Sequence, residues 1–243
     1  MQRTAPLSLA LLFAPCVAFA VQFRAENYAI PWSSSDGAVS LVSANAPING
    51  WTAPALVRGG GVSFAATTDG VPTPLGFGDE ATGTVAVAVL VVDCTDTPSS
   101  WSTLLDAPSP LRTESRVYSW QSLDFGTNGV SIAVDTALSD AFPIDGEKHL
   151  VEVAFSTPVA YSELFLGGHP ATPAWNRSWP GRIYEVVLLE EAPARESRDA
   201  LRAYLSVKWG LGLGIPSARN ARAILRRLGV KSDPLYSSVI FAR

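Results

Sequence analysis

The run TVAVAVLVVD at residues 84–93 constrains this sequence more than any other stretch. Valine stands at positions 85, 87, 89 and 91, and alanine or another apolar residue fills the places between. Successive side chains of a strand point to opposite faces, so a strand apolar at every position is covered by protein on both sides. Shorter strand-like runs precede it near residues 22–28, 39–42 and 61–65, and others follow at 102–105, 117–123, 129–135, 149–156, 160–167 and 182–189. Turn signals punctuate the early part at Ser35-Asp36-Gly37, Asn49-Gly50, Gly59-Gly60-Gly61 and Asp69-Gly70. No helical periodicity intervenes before Pro193, so the expected class is all-β, an antiparallel two-sheet sandwich and not a βαβ fold.

Helices are expected only at the end. Pro193 suits a first helical position, and Leu201, Tyr204, Leu205, Lys208 and Trp209 then recur on one helical face, with Gly210 as a C-cap. A helix that short must lean on something, and Tyr204 and Trp209 are the ridge expected to fasten it. A second helix is expected at 217–228, with Ser217 as N-cap, Gly229 as C-cap and Ala221, Ile224, Leu225 and Leu228 as its apolar stripe. Val239, Ile240 and Phe241 near the end are open to an edge strand or a loosely held tail.

Residues 1–20 combine a lone Arg3, an apolar segment and an Ala18-Phe19-Ala20 cleavage pattern, which describes a secretory signal peptide. The apolar segment is too short, and too interrupted by Pro6 and Pro15, for a membrane anchor. The expected organisation is therefore a signal peptide over 1–20, a sandwich with its closing helix over 21–211, and a basic helical tail over 212–243. The mature chain is expected to be exported, secreted or at the cell surface, without a membrane span. It would keep only Cys94, so no intrachain disulfide is available and burial must supply stability. The Cys94 thiol follows an apolar run and reads as buried and inert. Charge is uneven: residues 1–194 hold 8 Lys+Arg against 19 Asp+Glu, net −11, while residues 195–243 hold 10 against 3, net +7. Arg219, Arg222, Arg226, Arg227 and Lys231 are spread with few aromatics, which favours docking on the acidic domain or plain solvation over a nucleic-acid partner.

Several strings together resemble a known family. Gly181, Ile183, Glu185 and Val186 form a G-x-I-x-E-V strand; Glu196 and Arg198 open a helix that closes on Tyr204, Leu205, Lys208, Trp209, Gly210 and Leu211. Upstream, GEKHLVEVAFS at 146–156 and ELFLGG at 163–168 fit the same scheme. This order resembles the C-terminal signature of laminin-G-like domains in the concanavalin A-like lectin/glucanase superfamily. The adjacent Glu-Arg pair usual at the helix start is here Arg195-Glu196-Ser197-Arg198, and residues before about Val85 match by pattern alone. The resemblance implies a jelly-roll sandwich closed by a C-terminal helix, structural roles for Glu185 and His149, and in several relatives a calcium ion. Candidate calcium ligands here are Asp93, Asp96, Asp106 and Asp124; no other cofactor is expected.

Catalytic constellations are thin. A retaining glucanase of this superfamily needs two carboxylates about 5–5.5 Å apart on one strand face; Glu185 with Glu190 and Glu191 lacks the middle Asp of that run. Two histidines, His149 and His169, without a cysteine set do not make a zinc site. No G-x-S-x-G elbow or phosphate-binding loop is present. The best ligand-site candidate is the segment GHPATPAWNRSWPG at 168–181, which gathers His169, Trp175, Asn176, Arg177 and Trp179 between two strands. Aromatic faces stack on sugar rings, and Asn and Arg fork hydrogen bonds to hydroxyls; the alternative is that Trp175 and Trp179 plug the open end of the sandwich. Trp51, Trp101 and Trp120 read as core. The expected function is a non-catalytic binding module for carbohydrate or a surface protein. The alternatives are a structural or adhesion component of a cell surface or virion, and a glycoside hydrolase with unfamiliar carboxylates.

Overall fold

The computed structural model describes residues 20–44, 51–67, 70–78, 80–95, 102–107, 113–119, 122–125, 130–139, 141–168, 178–215 and 220–232, with the backbone alone at 113–119, 122–125, 130 and 141. The strands, in chain order, begin with β1 (Ala20–Arg24), β2 (Trp32–Ser33), β3 (Ser40–Ser43), β4 (Trp51–Thr52), β5 (Ala55–Leu56) and β6 (Val62–Ser63). There follow β7 (Val71–Pro72), β8 (Leu75–Phe77), β9 (Thr84–Val92), β10 (Thr103–Asp106), β11 (Thr113–Ser119) and β12 (Ser122–Phe125). The last are β13 (Val130–Val134), β14 (Ala137–Leu138), β15 (Ala141–Pro143), β16 (His149–Ala160), β17 (Phe165–Leu166) and β18 (Arg182–Leu189), before helices α1 (Arg195–Trp209) and α2 (Ala221–Arg227).

The described strands form two large antiparallel sheets. One runs β14-β13-β16-β9-β18, with β6 and β1 sharing the far edge of β18 and β5 outside β6. The other runs β15-β12-β11-β10-β17-β8-β3-β2. A short parallel pair, β4 with β7, lies apart. The first sheet is covered twice. Ala88, Leu90 and Val92 of β9 join Val151, Val153, Val186 and Leu188 in the core shared with the second sheet, around Phe23, Trp32, Phe64 and Trp179. Val87, Val89 and Val91 turn the other way and pack with Val187 and Leu189 under Leu201, Tyr204 and Leu205 of α1 and Ile224 and Leu225 of α2. The unbroken apolar character of β9 thus has its cause in a helical layer on one side and a sheet on the other.

Several expected boundaries shift. The stretch expected as one strand at 117–123 is two antiparallel strands that reverse between Ser119 and Ser122, with those two serines paired; no Gly, Pro, Asn or Asp there announces the turn. The strand expected to stop at Ser156 continues to Ala160, because an irregularity between Ala154 and Val159 accommodates Pro158 outside the regular ladder. Helix α1 starts at Arg195 behind an extended Ala194, leaving Pro193 just outside it. Gly210 ends it in the left-handed conformation (φ 69°), as expected, with Leu211 N–H returning to the Ser206 carbonyl. Helix α2 begins later than expected, at Ala221, and Ser217 lies outside the described residues. Cys94 is buried and forms no disulfide. Among the described residues no helix is long and apolar enough to cross a membrane.

The most demanding close approach is at Gly181, where the chain enters β18. A Cβ placed there would lie 2.0 Å from the Asp93 carbonyl oxygen and 2.9 Å from Cys94 Cα, both backbone atoms that cannot swing aside. Gly181→Ala is expected to cost about 3 kcal/mol, the upper part of the range for forced overpacking, read as a lower urea midpoint with unchanged slope; an unchanged midpoint would show that the strands are not this close.

Candidate functional site

Strand β18 does not alternate cleanly. Ile183 pairs with Val92 and the next pair is Glu185 with Val91, so β18 carries one extra residue at this point. Ile183 and Val186 face the inter-sheet core, while Tyr184 faces the helices. Without the bulge Glu185 would point into that inter-sheet core; with it, the carboxylate reaches the helical layer. There it is fully buried and accepts from Lys208 Nζ at 2.6 Å, Trp209 Nε1 at 2.8 Å and Gln22 Nε2 at 2.5 Å. Lys208 also reaches Glu26 at 2.9 Å. Two ammonium groups approach the Trp209 ring, Lys148 at 5.3 Å from its centroid and Lys208 at 4.9 Å.

Other buried acids are equally committed. Asp93, at the end of β9, accepts from Arg182 N–H at 2.8 Å, Arg182 Nε at 2.7 Å and Tyr184 OH at 2.7 Å. Burial, reinforced by that hydrogen bond to Asp93, pushes the Tyr184 phenol up, so it donates as a neutral hydroxyl. On β16, Glu152 is gripped by Arg202 Nε at 2.9 Å and Nη2 at 2.8 Å, with Arg198 Nε at 3.4 Å. His149 bridges two aspartates: Nδ1–H donates to Asp135 at 2.6 Å and Nε2–H faces Asp145 at 3.1 Å. Asp135 Oδ1 also accepts from Leu150 N–H at 3.0 Å. Of the calcium candidates, Asp93 is thus occupied by a guanidinium and a phenol, Asp106 is buried on β10, and Asp96 and the Asp124 side chain lie outside the described residues. Among the described residues no group of three or more His, Cys, Asp or Glu is disposed to hold a metal ion.

Of the expected ligand set, His169, Trp175, Asn176 and Arg177 lie outside the described residues. Trp179 requires correction as a ligand contact: it is fully buried, packs edge-on against Phe142 at 5.3 Å, and donates its indole N–H to the Asp93 carbonyl at 2.7 Å. An indole so enclosed presents no face to a ligand. Trp51 is half-buried on β4, and Trp101 and Trp120 are outside the described residues.

An open cleft lies elsewhere, beside the first turns of α1. It encloses about 540 Å³ between Arg195, Asp199 and Arg202 of the helix, the Asp135-Thr136 turn that joins β13 to β14, and Leu213, Gly214 and Ile215. Asp135 (φ 48°) and Thr136 (φ 77°) both have left-handed backbone, unusual for a β-branched threonine. The sequence offered one signal for this place: Arg195, Asp199 and Arg202 fall at i, i+4 and i+7 on one helical face. What that face would meet depends on a hairpin 60 residues upstream in the chain, which periodicity does not reach.

No family model, no curated protein and no solved structure matches the chain.

The hydrogen bond to Asp135, against the opposing effect of burial and with help from Asp145, pushes the His149 imidazole up to about 9 from 6.5. A raised pKa stabilises the fold fully below the unfolded value and loses that contribution as pH rises through the folded one. Wild-type stability in urea should therefore fall between about pH 6.5 and 9, and the difference between wild type and His149→Gln should shrink over the same window. Parallel profiles for the two proteins would show that the bridging imidazolium is not there.

Proposed function

We propose that the chain is an exported, non-catalytic binding module with the jelly-roll arrangement of laminin-G-like domains, recognising carbohydrate or another surface ligand. The observation that carries this reading is the convergence of Glu185, Lys208 and Trp209 on one buried contact. These are the residues on which the resemblance rests, and a contact that fastens a closing helix to a sandwich gives them a shared reason to occur together. The same contact supports the non-catalytic reading. Glu185 is the acid nearest to a glucanase pattern, yet its oxygens are taken by three donors and it is closed to solvent, whereas a general acid or nucleophile must reach the glycosidic bond.

The oppositely charged parts of the chain meet within one molecule, through Lys208 with Glu185 and Glu26 and through Arg198 and Arg202 with Glu152. Charge asymmetry therefore does not call for a second copy or another macromolecule.

Screening the secreted protein on a glycan array tests the reading. Binding to at least one saccharide class is expected, and Trp175→Ala decides whether residues 168–181 take part in it. No binding across the array would overturn carbohydrate as the ligand, and undiminished binding by Trp175→Ala would remove residues 168–181 from the site.

A further inference from the structure

We infer that the cleft between α1, the Asp135-Thr136 turn and Leu213–Ile215 is a binding site for a small neutral saccharide, held through neighbouring hydroxyl groups. The inference rests on the carbohydrate reading above and adds a place and a ligand chemistry to it.

Arg202 is used unequally on its two sides. On its inner side Nε and Nη2 form 2.9 and 2.8 Å contacts to Glu152. On its outer side Nη1 stops 3.9 Å from Asp199 Oδ1, and Arg195 Nε stops 3.7 Å from Asp199 Oδ2. Both outer distances exceed a hydrogen bond. The cleft wall therefore presents guanidinium donors and a carboxylate acceptor side by side, each with capacity left over. Across from them the Thr136 hydroxyl is exposed, and Asp135 has one hydrogen bond to each oxygen, from His149 and from Leu150 N–H, leaving a lone pair on each.

Charge decides what fits. Arg195 and Arg202 face Asp199 and Asp135, so the lining is balanced. An anion would meet two carboxylates and a cation two guanidinium groups, so either charge is opposed by part of the lining. A hydroxyl donates and accepts at once, and adjacent hydroxyls on a sugar ring match a donor beside an acceptor. Leu213 and Ile215 supply apolar surface for the ring's C–H face. The volume of about 540 Å³ falls among ordinary ligand clefts, roughly 300–1,000 Å³. The wall opposite the helix is firmly held, because Asp135 is tied to His149 and to the β16 backbone.

Titration of the isotope-labelled full chain with the methyl glycosides of glucose, galactose, mannose and N-acetylglucosamine, with glucuronate as the charged comparison, tests this. At least one neutral glycoside should shift the amides of Thr136, Leu213, Gly214 and Ile215. Arg195→Ala and Asp199→Ala, both at solvent-accessible positions, should each weaken that binding about ten-fold, and Arg222→Ala on the exposed side of α2 should not. Sugar binding that is lost in Trp175→Ala but intact in both cleft variants would overturn the cleft and leave the carbohydrate reading standing. Tighter binding of glucuronate than of every neutral glycoside would overturn the neutral ligand class. Failure of wild type to bind any of these sugars or any array glycan would overturn both.

Discussion

A carboxylate with no access to water, Glu185, is the point on which the layers of this protein depend. Leaving an ionised acid buried without partners costs many kcal/mol, so its position is tolerable only while Gln22, Lys208 and Trp209 all donate to it. Those donors come from β1, the first described strand, and from the last turn of α1. One acid on β18 thus joins an edge strand to a helix more than 180 residues later. The bulge that turns Glu185 toward α1 is the backbone feature that makes this possible.

The same device recurs nearer the start of the helix, where Arg202 at its middle and Arg198 one turn earlier meet Glu152 on β16. Apolar packing of Leu201, Tyr204 and Leu205 on Val87, Val89 and Val91 provides most of the attraction, but such contacts are non-directional. Two buried acids on different strands, met by cations at two separate places along α1, fix its direction on the sheet. A helix displaced by one turn would leave Glu185 without its cation, which would then cost about 3–5 kcal/mol. The contact to Glu152 also shapes the cleft, since the guanidinium that grips Glu152 with one edge forms the cleft wall with the other.

Much of this was legible in the sequence. The bounds of β9 and β18, the helical face of Leu201, Tyr204 and Leu205, and the Gly210 cap follow from local rules of alternation, 3.6-residue periodicity and left-handed glycine. The structural character of Glu185 and His149 was an implication of the family resemblance, and the bonds that both make agree with it. What escaped depends on distant chain segments. The bulge at Tyr184-Glu185 has no glycine or proline to mark it. Trp179 could be read as ligand-facing, because it is an aromatic between two strands, or as a plug for the end of the sandwich; the Asp93 carbonyl and the Phe142 ring that enclose it come from elsewhere in the chain. The cleft needs the α1 face, the Asp135-Thr136 turn and Leu213–Ile215 together, and only the first of these has a pattern along the chain.

Glu185 and Lys208 couple the sandwich to its helical layer, and a double-mutant cycle of Glu185→Gln and Lys208→Met, followed by urea unfolding at neutral pH, measures that coupling directly. A coupling energy of about 2 kcal/mol is expected, within the range for buried partners in contact, with a single cooperative transition in every variant. Single-variant losses that add to within about 0.5 kcal/mol in the double variant would contradict it.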